Sequence, residues 1–283
     1  MEERISGLFK IHAAVFLFGL AGLFAEWVSL PASWIVLGRT GFAALYLMLA
    51  LWLRKKTWPS PAHREIILLI LSGALLAFHW VSFFQAIQLS SVALGLLTFS
   101  SFPVFTFLLE LLVKSRRINL LDVLVVILTM LGVFWVIPPL NFTLTQTQGA
   151  MWGLASGLSF ALLALLNRKL VNRFAGQQVA LCQNFTAFLV LLPWALPSPQ
   201  EPTLPDWGLL LLLGVVFTAW SHALFIQGLK RVSAGTASLI ATLEPVYGIF
   251  AAWVLLKQAP SLTTLFGGVL IVGAAIFASF REK

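Results

Sequence analysis

Ten apolar runs, each about as long as a bilayer is thick, constrain this chain more than any other feature. A membrane-crossing helix needs about 20 predominantly apolar residues. The runs fall at 10–29, 32–53, 65–88, 92–112, 119–137, 149–170, 177–196, 206–229, 233–256 and 261–280. Between them stand the breaks "RKKTWPSPAHR", "KSRRIN", "PPLNFTLTQTQ", "NRKLVNRF", "PSPQEPTLPD" and "KRVS", with tight turns near Pro31, Ser90 and Pro260. None of these breaks can hold a soluble domain. Only 10% of the residues are charged and 60% are hydrophobic, with a mean hydropathy of +0.96. A soluble domain carries about 25% charged residues, so too little charge is present to coat a water-facing surface. The expected fold class is an all-α integral membrane protein with ten transmembrane helices. The first run lacks a small-residue cleavage site and reads as a retained span rather than a signal peptide.

Charge distribution tests the count. If the N-terminus is cytoplasmic, that side collects Arg4, Lys10, Arg54–Lys56, Arg64, Lys114, Arg116, Arg117, Arg168, Lys169, Arg173, Lys230, Arg231, Arg281 and Lys283. The opposite side keeps Lys257, with Glu201 and Asp206. Basic residues concentrate in cytoplasmic loops, and a missed or invented span would scramble this bias. Both termini are therefore expected in the cytoplasm. The net charge of +8 reflects these loop clusters rather than a nucleic-acid surface. A single cysteine, Cys182, permits no disulfide within the chain and no cysteine-based metal site.

Sliding the second half onto the first by 142 positions aligns Gln85 with Gln227, Ser91 with Ser233, Leu97 with Leu239, Pro103 with Pro245 and Val104 with Val246. Two repeats are expected, 1–141 and 142–283, with five helices each. Five is odd, so the second repeat enters the membrane from the opposite side. Inverted repeats of this kind are a common construction of secondary transporters.

The stretches "WIVLGRTGFAALYLMLALWL", "SSVALGLLTFSSFPVFTFLLELL", "GTASLIATLEPVYGIFAAWVLL" and "LFGGVLIVGAAIFASF" resemble EamA-type members of the drug/metabolite transporter superfamily over essentially the whole chain. The resemblance implies a central cavity lined mainly by spans 1, 3, 4, 6, 8 and 9, and a place in the cytoplasmic (inner) membrane of a bacterium. Within the superfamily the chain looks most like bacterial exporters of amino acids and related metabolites. It departs from the pattern where spans 4 and 9 commonly end in a glutamate thirteen residues past the proline. Those positions here are Arg116 and Gln258.

Polar groups at membrane depth are costly and so are candidate functional groups. In span 3, His79, Ser82 and Gln85 step by three along one face, with Trp80 beside His79. Span 8 carries Trp220, Ser221 and His222 near mid-depth. These histidines either line a cavity or simply bond a neighbouring helix. Thr98, Ser100 and Ser101 precede Pro103, where they can satisfy backbone groups freed by the proline. Pro103 and Pro245 are expected to kink spans 4 and 9, and the kinks would serve gating. Glu244, before Pro245, reads either as a ligand for a substrate amine or coupling proton, or as a structural partner of Arg39. The resemblance adds that acid–proline pairs at this position are common. In span 6, Gly153, Ser156, Gly157 and Ser159 supply small positions. Gly267, Gly268 and Gly273 in the last span read as a helix contact or a dimer face.

The substrate-cavity candidates are thus His79, Trp80, Ser82, Gln85, Thr98, Ser101, Ser156, Ser159, Trp220, His222 and Glu244. Trp27, Trp34, Trp52, Trp58, Trp152, Trp194 and Trp207 read as interfacial anchors. An enzyme is not expected, since the chain shows no metal-ligand cluster, nucleophile–base constellation or phosphate loop. No cofactor or metal is expected, and no nucleotide-binding motif is present. The expected partners are the bilayer and a small-molecule substrate, with proton coupling open. The leading expectation is export of small amphipathic metabolites, amino acids first among them, by alternating access. The alternatives are a cationic-drug or quaternary-amine exporter of the same fold, and a channel-like membrane protein.

Overall fold

The structure is a computed structural model that describes residues 2–55, 58–102, 104–106, 108–109, 120–136, 144–229, 240–241 and 243–281. These residues are helical, joined by short turns, with no strand among them. Helix α1 (Glu2–Ala21) continues through the short α2 (Phe24–Trp27), and Pro31 opens α3 (Ala32–Leu53). Helices α4 (His63–Leu89), α5 (Val92–Phe99) and α6 (Leu120–Val136) complete the first half. The second half holds α7 (Thr145–Leu170), α8 (Gly176–Ala195), α9 (Leu204–Gly214), a π-helical segment (Val215–Trp220), α10 (Ser221–Leu229), α11 (Glu244–Leu256) and α12 (Leu262–Arg281).

Among the described residues, six helical stretches are long and apolar enough to cross a membrane: Ile5–Trp27, Ala32–Leu53, His63–Leu89, Thr145–Asn167, Gly176–Ala195 and Leu204–Phe225. Shorter apolar helices, Val92–Thr106, Val123–Val136, Glu244–Leu256 and Leu262–Ala274, lie where spans 4, 5, 9 and 10 are expected. Local chemistry fixes several ends. Ser91 caps α5 by accepting from the Leu94 amide at 3.2 Å. At the start of α9, the Thr203 hydroxyl donates to Asp206 Oδ2 at 2.6 Å, and the Thr203 amide donates to the same oxygen at 2.9 Å. Lys257, with φ of 60°, closes α11 in the left-handed conformation.

The two ends of the bundle are tied separately. At one end the Ser29 amide donates to Asp206 Oδ1 at 3.2 Å, Gln88 Nε2 donates to the Leu30 carbonyl at 2.9 Å, and the Val92 amide donates to Gln258 Oε1 at 3.3 Å. At the other end Arg173 pairs with Glu65 at 2.9 Å and donates to the Ser60 carbonyl at 2.8 Å. Loops expected on the same side of the membrane therefore meet one another in space.

The largest interfaces join α4 to α7, α6 to α12, α3 to α8, α4 to α8, α1 to α10, α5 to α7 and α1 to α11. Exchanging each first-half helix for its second-half counterpart leaves this pattern intact. The α4–α7 contact becomes α1–α10, α5–α7 becomes α1–α11, and α4–α8 becomes α3–α9; all of these contacts occur.

Lipid tails are as apolar as leucine, so close packing rather than hydrophobicity holds such helices together. Gly19 and Gly248 show the consequence. A Cβ at Gly19 would sit 2.7 Å from the Glu244 carbonyl oxygen, and one at Gly248 would sit 2.8 Å from that of Gly19. Gly132 and Gly267 approach each other in the same way between α6 and α12, which accounts for Gly267 as a contact inside the chain. Gly273 is exposed with open space around it. Leu45, Leu49, Ile67, Ile70, Phe134, Phe250, Trp253 and Val269 face outward over the bundle.

Candidate functional site

Arg39 is the electrostatic centre of the bundle. It lies on α3 and is 4% exposed. Its guanidinium carbon stands 3.9 Å from the Trp80 ring centroid and 5.5 Å from that of Phe84, so α4 supplies a stacking wall. Its Nε donates to Thr218 Oγ1 at 3.0 Å. Thr218 sits inside the π-helical segment, and its hydroxyl donates in turn to the Leu213 carbonyl at 2.8 Å. Such single-turn π segments recur at functional sites. Gly214 brings α9 against α3 at this point, since a Cβ there would meet the Arg39 carbonyl oxygen at 2.7 Å. Glu244, His79 and His222, from α11, α4 and α10, lie close enough to Arg39 for its charge to act on them.

Glu244 opens α11 and is partly exposed within the bundle. No ion pair closes between Glu244 and Arg39, and the carboxylate has no hydrogen-bond partner among the described residues. A carboxyl group held this way either carries a proton or is met by another charge.

His79 occupies a different environment. It is 4% exposed, and its Nδ1 lies 2.9 Å from Ser156 Oγ and 3.1 Å from the Ser156 carbonyl. The rings of Phe99 and Phe160 stand 5.4 and 5.1 Å away. This histidine pins α4 to α7. Ser159 bonds back to Ala155 and Ser156 within α7. Gly153 and Gly157 admit α5: a Cβ at Gly153 would strike the Thr98 side chain, and one at Gly157 would reach the Phe99 carbonyl oxygen at 2.9 Å. Thr98 and Ser101 donate to the carbonyls of Leu94 and Thr98, at 2.7 Å in each case. Ser82 is fully buried, and its hydroxyl has no partner. Gln85 is partly buried.

Pro103 lies outside the described residues, but α5 ends just before it, at Ser100–Ser101. Pro245 is buried in the first turn of α11, directly after a turn at Leu243. The two turns, at Ser101 and Leu243, are 142 positions apart, so the helix breaks at the same place in both halves. A proline cannot donate to the carbonyl four residues earlier, and the helix begins afresh around it.

The span-8 residues separate. His222 is exposed and stands edge-on to Phe18 at 5.2 Å, bringing α1 to the same region. Trp220 is 47% exposed and shares no ring contact with Trp80. Trp34, expected at the membrane interface, is instead buried edge-on to Trp207 at 6.3 Å, because α9 covers it.

Comparison with known proteins supplies the class. The model of the EamA-like transporter family matches residues 5–137 and again 147–280. The chain belongs to the EamA-like transporter family. Over its whole length this EamA-like transporter is 24% identical to an uncharacterized transporter of Bacillus subtilis, covering 92% of that protein. A pseudopaline exporter of Pseudomonas aeruginosa is 25% identical over 98% of the chain and 97% of its own length. An S-adenosylmethionine uptake transporter of Rickettsia bellii is 26% identical over 76% of the chain and 72% of its own length. A crystal structure with a TM-score of 0.68 and 19% identity, covering 99% of this chain and all of its own, shares the fold.

Three features of this EamA-like transporter were not foreseen. Thr218 gave no signal, because one threonine among apolar residues looks like packing. The π segment around it leaves no mark in sequence periodicity. Gln258, where the resemblance leads one to expect a glutamate, accepts from the Val92 amide at the α5 N-terminus; Arg116, its counterpart, lies outside the described residues.

Proposed function

We propose that this EamA-like transporter is a ten-span carrier built of inverted repeats, 1–141 and 142–283, with both termini in the cytoplasm. It exports small amphipathic metabolites, amino acids first among them, from the bacterial cytoplasm across the inner membrane. The exchange-invariant helix contacts and the repeated break before Pro103 and Pro245 support the repeat. The grouping of loops at the two ends supports the ten-span topology.

The carrying observation is Glu244: an unpaired carboxylate at the head of a broken helix, inside a bundle whose polar groups, Arg39 apart, are mostly neutral hydroxyls, imidazoles and indoles. It accepts a substrate ammonium or a coupling proton. His222, Trp80 and Ser82 form the surrounding walls, with His79, Ser156, Ser159, Thr98 and Ser101 behind them as the α4–α7–α5 framework. Trp220 and Gln85 lie at the margin. Pro245 and Pro103 serve as flexing points at which alternate opening takes place. The same carboxylate is the observation that favours the second reading, a cationic-drug exporter. Among the relatives, the name of one specifies export and that of another uptake, so direction is assigned here by analogy to the exporter.

The test is uptake and counterflow of radiolabelled amino acids in proteoliposomes, with and without a pH gradient, for the parent and Glu244→Gln. Accumulation that follows the gradient and vanishes in the variant makes Glu244 the proton carrier. Saturable exchange that survives the substitution makes Glu244 structural. Movement of cationic drugs without amino acids overturns the substrate class.

A further inference from the structure

Arg39 is not used in the reading above, and it is poorly explained as a structural counter-ion. A structural counter-ion would close on the carboxylate. Here Glu244 is within electrostatic range and no pair forms. Arg39 instead spends only its Nε, on Thr218. Its two terminal amino groups have no hydrogen-bond partner among the described residues. The side chain as a whole is 4% exposed, so these donors are held away from bulk solvent.

The fixing of the guanidinium matters as much as its freedom. The Trp80 and Phe84 rings lie 3.9 and 5.5 Å from its carbon, and Thr218 tethers one edge. What remains is the terminal edge, two parallel N–H donors in one plane. That edge matches the two oxygens of a carboxylate and binds them in a bidentate fashion. A phosphate would bring more charge than one guanidinium offsets, and Glu244 would repel it. Because stacking and tethering precede binding, little side-chain freedom is left to lose.

We infer that Arg39 anchors the substrate carboxylate while Glu244 takes the ammonium, so that the site selects α-amino carboxylates by holding both ends of the zwitterion. This inference rests on the proposed transport of amino acids. It also adds α3 to the site walls, whereas the family resemblance implies spans 1, 3, 4, 6, 8 and 9.

The experiment compares neutral L-amino acids with their carboxamides, which keep the ammonium and lose the carboxylate, in proteoliposome counterflow. The proteins are the parent, Arg39→Gln and Arg39→Lys. The parent is expected to exchange the acids at least roughly tenfold better than the amides, about the worth of one charge-assisted pair. Arg39→Gln is expected to reduce acid exchange to the amide level while leaving amide exchange within about twofold, and Arg39→Lys to fall between, because a point charge replaces a fork. Equal handling of acids and amides by the parent overturns the inference, and this arm does not depend on a variant folding. Parallel loss of acids and amides in both variants overturns it as well and makes Arg39 a structural post. If the parent exchanges neither acids nor amides, the amino-acid reading itself falls, and the inference falls with it.

Discussion

Replacing Thr218 with valine isolates the bond that orients Arg39. The two side chains are nearly isosteric and both are β-branched, so the volume and rotamer of the π segment are preserved. What is lost is the acceptor 3.0 Å from Arg39 Nε, in a pair where Arg39 is 4% and Thr218 is 1% exposed. Hydrogen bonds to charged groups are worth about 1.5–3 kcal/mol in soluble proteins. Between membrane helices they average only about 0.6 and reach about 1.7 kcal/mol, because the unfolded chain also finds partners in the bilayer. Valine leaves the Nε–H without any acceptor in a buried setting, so the upper membrane value applies, about 1.5 kcal/mol. At about 2–4 °C per kcal/mol for a chain of this order of size, thermal unfolding in detergent should move down by about 3–6 °C. Thr218 also bonds the Leu213 carbonyl, so a double-mutant cycle with Arg39→Met separates the two losses. A coupling of about 1 kcal/mol is expected. Full additivity of Thr218→Val and Arg39→Met would refute the assignment of this bond as the positioning element.

Gly248→Ala should lose about 1–3 kcal/mol by overpacking, since the new Cβ meets the Gly19 carbonyl oxygen at 2.8 Å; unchanged thermal stability would contradict the α1–α11 contact. Ser156→Ala should cost about 0.6 kcal/mol, because His79 keeps only the Ser156 carbonyl at 3.1 Å. Apparent substrate affinity should shift less than about twofold in that variant if the hydroxyl is engaged by His79. Pro245→Ala should leave stability within about 1 kcal/mol, as proline is tolerated in the first helical turn. Exchange in Pro245→Ala should slow several-fold, because the restored N–H lets the helix run through the break; a parent-like rate would remove the break from the transport cycle.

Helix positions were legible because twenty-residue apolar runs separated by basic clusters encode them directly. The span expected at 32–53 is α3, Ala32–Leu53, and that expected at 65–88 is α4, His63–Leu89. The turns at Ser101 and Leu243 stand before prolines, whose missing donor is a local feature that sequence displays. Which face each polar residue presents was much less so. His79, Ser82 and Gln85 share a helix stripe, yet His79 is absorbed by Ser156 on α7, a contact 77 residues away in sequence. Trp34 reads as a headgroup anchor from its place near a span end, and only the approach of α9 buries it. Arg39 was visible as the cation within a span. Its environment of Trp80, Phe84 and Thr218 depends on the crossing of α3 with α4 and with the π segment, which no single-chain periodicity carries.

Alternating access is tested most directly by cysteine accessibility at position 222. His222 is exposed beside Phe18, and Cys182→Ser removes the native thiol. His222→Cys in that background would be reconstituted in proteoliposomes and treated with a membrane-impermeant thiol reagent from either face. The account predicts that the cysteine is modified from both faces over time, that transported substrate at saturation slows both reactions, and that a conformation trapped by crosslinking is open to one face only. Simultaneous, substrate-independent access from both faces in a trapped conformation would mean an open pore and would contradict it.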